Sequence, residues 1–162
     1  MDRLWAPWRI KYIKAKRGKK CIFCLAVKSK KQNYVVLKTK HAISLLNIFP
    51  YNNGHMMVAP ARHVRELSKL KEGEVLDLIR VLNDTKKLLD MVLKPHGYNI
   101  GINISDSAGA GIVGHLHIHL VPRWKSDTNF MPALYDTKII SQSLNELYKK
   151  LKHAKSKANT GL

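Results

Sequence analysis

Histidine stands at every second position of Gly114-His115-Leu116-His117-Ile118-His119-Leu120, and no other feature of the chain constrains its fold as strongly. On an extended strand successive side chains point to opposite faces, so His115, His117 and His119 project together, with neighbours roughly 7 Å apart along the strand. Leu116, Ile118 and Leu120 take the other face. This is the pattern of a strand buried behind and open to a ligand in front. Aligned imidazoles suit nucleophilic chemistry, because a neutral ring offers one lone pair when its other nitrogen holds a proton against an acceptor. Alternate strand positions also permit all three rings to bind one catalytic metal ion. A plainer reading leaves them as core histidines satisfied by hydrogen bonds.

The rest of the chain frames that strand. Residues 34–39, 42–46 and 55–59 read as short strands, with a loop at residues 47–54. Val75, Leu78, Ile79, Leu82, Leu88, Leu89 and Val92 recur at helical spacing, which predicts a long helix over residues 74–93, ending before Pro95. Residues 98–104 alternate as a further strand, residues 124–136 are polar and irregular, and Ile139, Leu144, Leu147, Tyr148 and Leu151 predict an amphipathic helix over residues 138–152. The expected class is α+β: an antiparallel sheet of about five strands with the long helix on one face and the site on the other. No internal repeat is present. The organisation divides into a basic segment at residues 1–20, a central domain at 21–136, and a basic helix and tail at 137–162.

A chain of 162 residues, 45% hydrophobic, is long enough for one packed core. Its 29 Lys and Arg against 11 Asp and Glu give a net charge of +18, which attracts polyanions such as nucleotides, nucleic acid or anionic membrane surfaces. The excess lies toward the ends. Residues 1–20 hold eight basic residues against one acid, and Lys149, Lys150, Lys152, Lys155 and Lys157 follow at the other end. Such a run is also what a solvated helix face presents. No apolar stretch has the length of a signal peptide or a membrane span. Cys21 and Cys24 are too few and too close for a secreted disulfide framework, which points to a reducing, cytoplasmic setting.

Two further motifs carry chemistry. Ser105-Asp106-Ser107-Ala108-Gly109-Ala110-Gly111-Ile112 lies between two predicted strands, just before the histidines, and its glycines allow main-chain N–H groups to approach an anion. The thiols of Cys21-Ile22-Phe23-Cys24 supply half of a tetrahedral zinc site, and the chain has no further cysteine to complete it, so the remaining ligands fall to histidine. The same spacing occurs in redox motifs, which follow a strand that this segment lacks.

Taken together these motifs resemble the histidine triad (HIT) superfamily of nucleotide hydrolases and transferases, whose signature is His-x-His-x-His followed by two apolar residues. The likeness extends to the Cys21 to Cys24 pair, the segment 47–55 ending in Gly54-His55, Pro60-Ala61-Arg62-His63 and the loop at 108–111, and covers roughly residues 4–134. Leu4-Trp5-Ala6-Pro7-Trp8-Arg9 and the stretch from Pro122-Arg123-Trp124 to Pro132 are similar to a bacterial branch containing diadenosine tetraphosphate phosphorylases.

The resemblance implies roles residue by residue. His117 matches the nucleophile that attacks the α-phosphorus and forms a nucleotidyl-histidine intermediate, later released by water or phosphate. His119 matches the histidine beside the phosphates, and His55 one that completes the site from the neighbouring strand. Asn47 matches an asparagine that holds ribose hydroxyls. Asn103, Gly109 and Gly111 lie where the family binds phosphate oxygens, largely through main-chain donors. Gly111 is also a departure, since many members carry Gln or Ser there, and the proton for the leaving group is left unassigned. Trp124 could stack on the base, close a subunit interface or simply pack.

Bacterial relatives with the cysteine pair place zinc ligands at the positions of His63 and His115, so Cys21, Cys24, His63 and His115 are expected to hold a structural zinc ion, with no organic cofactor implied. The first triad histidine would then serve structure rather than catalysis. Members of this size are usually homodimers whose sheets join. The favoured function is nucleotidyl transfer or hydrolysis of adenine dinucleoside polyphosphates, in the cytoplasm. A nucleoside phosphoramidase, a zinc hydrolase using all three triad histidines, and a nucleotide- or RNA-binding module without turnover are the alternatives.

Overall fold

The computed structural model describes residues 21–29, 33–125, 127 and 140–160, and within them the sheet has five strands. These are β1 (Val35–Lys38), β2 (Ala42–Leu46), β3 (Met56–Pro60), β4 (Gly97–Ile102) and β5 (Ile118–Arg123), in the order β1-β2-β3-β5-β4. Every neighbouring pair is antiparallel. Among the described residues three helices, α1 (Ile22–Lys28), α2 (Glu72–Leu93) and α3 (Leu144–Thr160), join the sheet in an α+β fold, with one 3-10 turn at Leu67–Lys69. None of the described helices is long and apolar enough to cross a membrane.

The period of two in the strands sorts the core into two faces. On one, Ala42, Leu46, Met56, Val58, Ile118 and Leu120 meet Leu78, Val81, Leu82, Leu88 and Leu89 of α2 and Leu147, Leu151 and Ala154 of α3. On the other, Ile43, Leu45, Met57 and Ala59 meet Phe23 and Ala26 of α1. His119 is paired with Met57, so it stands on the α1 face, and the histidine strand lies between two partners rather than at an edge.

Several boundaries differ from the sequence reading for local reasons. The helix α1 was not expected, because its buried stripe is only Phe23 and Ala26, too short to show a period. Within α2, Ile79 and Val75 fit the apolar period yet are exposed. Strand β4 stops at Ile102, and Ser105 has a φ of 74°, a left-handed turn that a strand cannot contain. Helix α3 starts at Leu144 and runs on to Thr160, with Ala154 still in the core. Positions 138 and 139 of that expected helix, and 126 and 128–136 of the irregular segment, lie outside the described residues.

One ion pair fixes the connection that leads to the site. Glu74, in the first turn of α2, accepts bonds from Arg62 Nε (2.8 Å) and Nη2 (2.7 Å) and from the Lys71 N–H (2.9 Å). The Arg62 guanidinium, aided by that N–H, holds the Glu74 carboxyl at about 2. The adjoining chain is pinned where the Leu116 N–H donates to the Val64 carbonyl at 2.7 Å, which brings His63 up to His115.

Candidate active site

The three triad histidines do not converge on one point. His115 turns its Nδ1 toward α1, 3.2 Å from Cys21 Sγ and 3.7 Å from Cys24 Sγ, while its Nε2–H donates to the Pro60 carbonyl at 2.9 Å. His117 donates from Nδ1 to the His115 carbonyl at 2.8 Å. His119 places Nδ1 2.9 Å from His55 Nε2. The expectation of three imidazoles presented together to a ligand is corrected accordingly. Ladder pairing begins only at Ile118, all three rings are buried, and each is claimed by a different neighbour, so the site offers no common ligand point for a single metal ion.

Burial decides their charge. It pulls His55 down to about 3 and His115 and His119 to about 4, helped in each case by repulsion from neighbouring imidazoles, and it lowers His117 against the pull of the His115 carbonyl. Near pH 7 each ring is therefore neutral, with one N–H and one lone pair. The bonds then assign the tautomers. Because the Tyr51 N–H donates to His55 Nδ1 at 3.1 Å, the His55 proton sits on Nε2 and is donated to His119 Nδ1. His119 keeps its own proton on Nε2, a buried atom without a hydrogen-bond partner among the described residues. In His117 the proton is on Nδ1, which leaves the Nε2 lone pair unspent. The two rings meet edge to face with centroids 4.9 Å apart. A free lone pair and an unmatched N–H donor thus stand side by side, a pairing chemically able to serve displacement at a negatively charged phosphorus.

The loop before β3 holds this pair. Asn47 donates from Nδ2 to His55 Nδ1 (3.3 Å) and accepts the Phe49 N–H (2.9 Å), which leaves one N–H and one lone pair of its amide for a ligand. Tyr51 lays its exposed ring over His55 and His119, with centroids 4.6 and 5.7 Å away. Asn52 ties the loop to the end of β5, donating to the Pro122 carbonyl (3.0 Å) and Asp127 Oδ2 (2.9 Å). Sequence reasoning missed Tyr51, Asn52 and Phe23. Their nearness in sequence to Gly54-His55 and to the cysteines was the only available signal.

Other expected residues fall around this centre. Asn103 is half-buried just after β4, and the loop folds back on it, since a Cβ at Gly109 would sit 3.7 Å from Asn103 Nδ2. Gly109 has a φ of 84°, a conformation that glycine adopts without strain. Its N–H is donated to the Asp106 carbonyl (2.9 Å) and that of Ala110 to the Ser105 carbonyl (3.2 Å), so in this conformation neither is offered to a phosphate. Gly111 is half-buried at the end of the same loop. Trp124 is half-buried just past β5 and donates its N–H to Asp127 at 3.3 Å.

A second cluster adjoins the first. The ligand atoms of Cys21, Cys24, His63 and His115 all lie within 4.8 Å of one another and could hold a metal ion. Cys21 caps α1, Cys24 follows one turn on, His63 follows β3 and His115 precedes β5. The Pro60 carbonyl takes the His115 Nε2 proton and so aims the Nδ1 lone pair at the thiols, the orientation a ligand needs. Burial, with Cys21 alongside, pushes the Cys24 thiol up, so a cation is what would make that thiol ionise readily.

With the fold and both clusters in place, comparison with known proteins gives the class. The HIT domain matches residues 28–126, and the chain belongs to the HIT-domain family. It is 35% identical over 156 residues to the AP-4-A phosphorylase of Mycobacterium tuberculosis, an alignment covering 90% of this chain and 80% of that protein. It is 33% identical over 101 residues to the asymmetrical bis(5'-nucleosyl)-tetraphosphatase of Schizosaccharomyces pombe, covering 62% of this chain and 55% of that protein. Among solved structures, a zinc-bound histidine triad family protein from Mycobacterium smegmatis has the same fold, with a TM-score of 0.70 at 23% identity, covering 87% of this chain and 96% of that one.

Proposed function

We propose that this protein transfers or hydrolyses nucleotidyl groups of dinucleoside polyphosphates, of which diadenosine tetraphosphate is the representative substrate, by way of a covalent intermediate on His117. The carrying observation is the tautomer of His117: its Nδ1–H is spent on the His115 carbonyl, so the Nε2 lone pair is the free one. That lone pair attacks the α-phosphorus, the P–N bond forms, and the bridging P–O bond breaks with its electron pair leaving on the nucleoside polyphosphate. The unmatched Nε2–H of His119, on the ring that meets His117, then donates to a phosphate oxygen as charge shifts onto it. An oxygen of water or inorganic phosphate then attacks the same phosphorus and the P–N bond breaks. The similarity to the mycobacterial phosphorylase supports the substrate class.

The test is to incubate the protein with diadenosine tetraphosphate, with and without phosphate, and to separate the products. ATP with ADP marks phosphorolysis, and ATP with AMP marks hydrolysis. His117→Ala is expected to abolish turnover and nucleotidylated protein while nucleotide binding stays within about tenfold. Ordinary turnover by that variant would refute the assignment.

Zinc is the metal this reading places at Cys21, Cys24, His63 and His115. Bonds of about 2.3 Å to sulfur and 2.0–2.1 Å to nitrogen at the tetrahedral angle put the two ligand types about 3.6 Å apart. The S to N separations of 3.2, 3.3 and 3.7 Å bracket that value. The zinc-bound relative of the same fold supports it, and the same reading sets the protein in the cytoplasm, where free thiols stay reduced. A homodimer is part of the same reading, because β4 ends the sheet and carries Ile100 with 54% of its surface exposed, a hydrophobic edge that a second copy would cover.

A further inference from the structure

Helix α1 does two things with four residues. Cys21 and Cys24 reach the metal cluster, while Phe23 between them is fully buried, its ring centroid 5.0 Å from both His115 and His117. The bond from His117 Nδ1 to the His115 carbonyl fixes one atom of the ring but leaves rotation about the axis through it. What sets the plane, and hence the direction of the Nε2 lone pair, is packing: Phe23 meets the ring at 38° and His119 at 67°.

Phe23 packs against Ile43, Leu45, Met57 and Ala59 of the sheet, but the helix that carries it is a weak support. A seven-residue helix has almost no stability of its own, α1 has no side-chain cap, and Phe23 and Ala26 are its only buried residues. The ends of its first turn are the two cysteines.

We infer that Phe23 is a positioning residue for His117, setting the plane of its ring, and that the Cys21, Cys24, His63 and His115 cluster is the clamp that keeps Phe23 seated. The inference rests on the proposed role of His117. Angular misplacement of a reacting group lowers the rate of the chemical step without a matching loss of binding, so the effect falls on kcat.

The experiment uses full-length Phe23→Ala and Phe23→Leu, with bound metal measured in each, assayed for turnover of diadenosine tetraphosphate and observed by 15N-edited NMR of the histidine side chains. Phe23→Ala is expected to lower kcat at least about tenfold with KM within about threefold, and to shift or broaden the His117 Nδ1–H signal. Because emptying a buried phenylalanine site also weakens the fold, Phe23→Leu carries the decision. It keeps most of the bulk without the flat ring, and should lower kcat about threefold with KM unchanged and move the same signal. Removing metal from the unaltered protein with a chelator should move that signal too. An unmoved signal and unchanged kcat in Phe23→Leu overturn the positioning role, and so does a kcat that falls only in step with a rising KM. A signal indifferent to metal removal overturns the clamp. The signal requires no turnover, so if His117→Ala proves active the nucleophile assignment fails by itself and the ring-positioning claim is still judged.

Discussion

Acid should destabilise this protein through its buried histidines, because burial holds them neutral where the unfolded chain would be charged. His55 is fully buried and its Nδ1 accepts the Tyr51 N–H, so protonation there breaks that bond and places a charge beside His119. The folded values, about 3 for His55 and about 4 for His119, lie below the ordinary 6.5. Between those limits the unfolded chain binds more protons than the folded one, so stability is fully present above pH 6.5 and is lost as pH falls toward the folded values. At pH 5, 1.5 units below the unfolded value and still above both folded ones, each histidine has lost about 2 kcal/mol, and the pair about 4 kcal/mol. That is a large part of the 5–15 kcal/mol of a typical domain. Urea unfolding at pH 7.5 and 5.0 measures it. His55→Gln, whose amide does not titrate, should lose about 2 kcal/mol less over that interval than the unaltered protein. An equal loss in both would sink the reasoning, since His55 would then not be the group taking up the proton.

Two other outcomes are open to direct measurement. Elemental analysis should find about one zinc per chain, and Cys21→Ser should lower both zinc content and Tm; a metal-free preparation of full stability would count against the site. The exposed lysines of α3 should hasten capture of polyanionic substrates, so replacing Lys149, Lys150 and Lys152 together by Gln should lower kcat/KM at low ionic strength, leave kcat nearly unchanged, and matter less as salt rises. Substitution suits this test better than truncation, because Ala154 is in the core and Lys155 donates to the Val36 carbonyl.

What the sequence revealed, and what it hid, follows from how far each signal extends along the chain. Helix α2 was legible because six turns repeat one apolar stripe, whereas α1 shows only Phe23 and Ala26, a stripe that any two apolar residues could make. The five strands were legible from alternation and turn residues. Where β5 begins was not, since His115 and His117 keep the alternation although ladder pairing starts only at Ile118. Alternation tells which way a side chain points and is silent on what awaits it there. For His115 that is a thiol pair 91 to 94 residues earlier, for His117 the carbonyl of its own neighbour, and for His119 a ring from β3's leading edge 64 residues away.

The division of labour among the three histidines is therefore a property of the sheet rather than of the motif. Strand order sets β5 beside β3, which brings His55 and its loop to His119, while the end of β3 and the turn after it carry Pro60 and His63 to His115. His117, between them, is left with a main-chain partner and an unspent lone pair. Its neighbours on both sides are drawn away by side chains or by a cluster suited to a metal, and that is the ground for proposing the middle position of the three as the one that reacts.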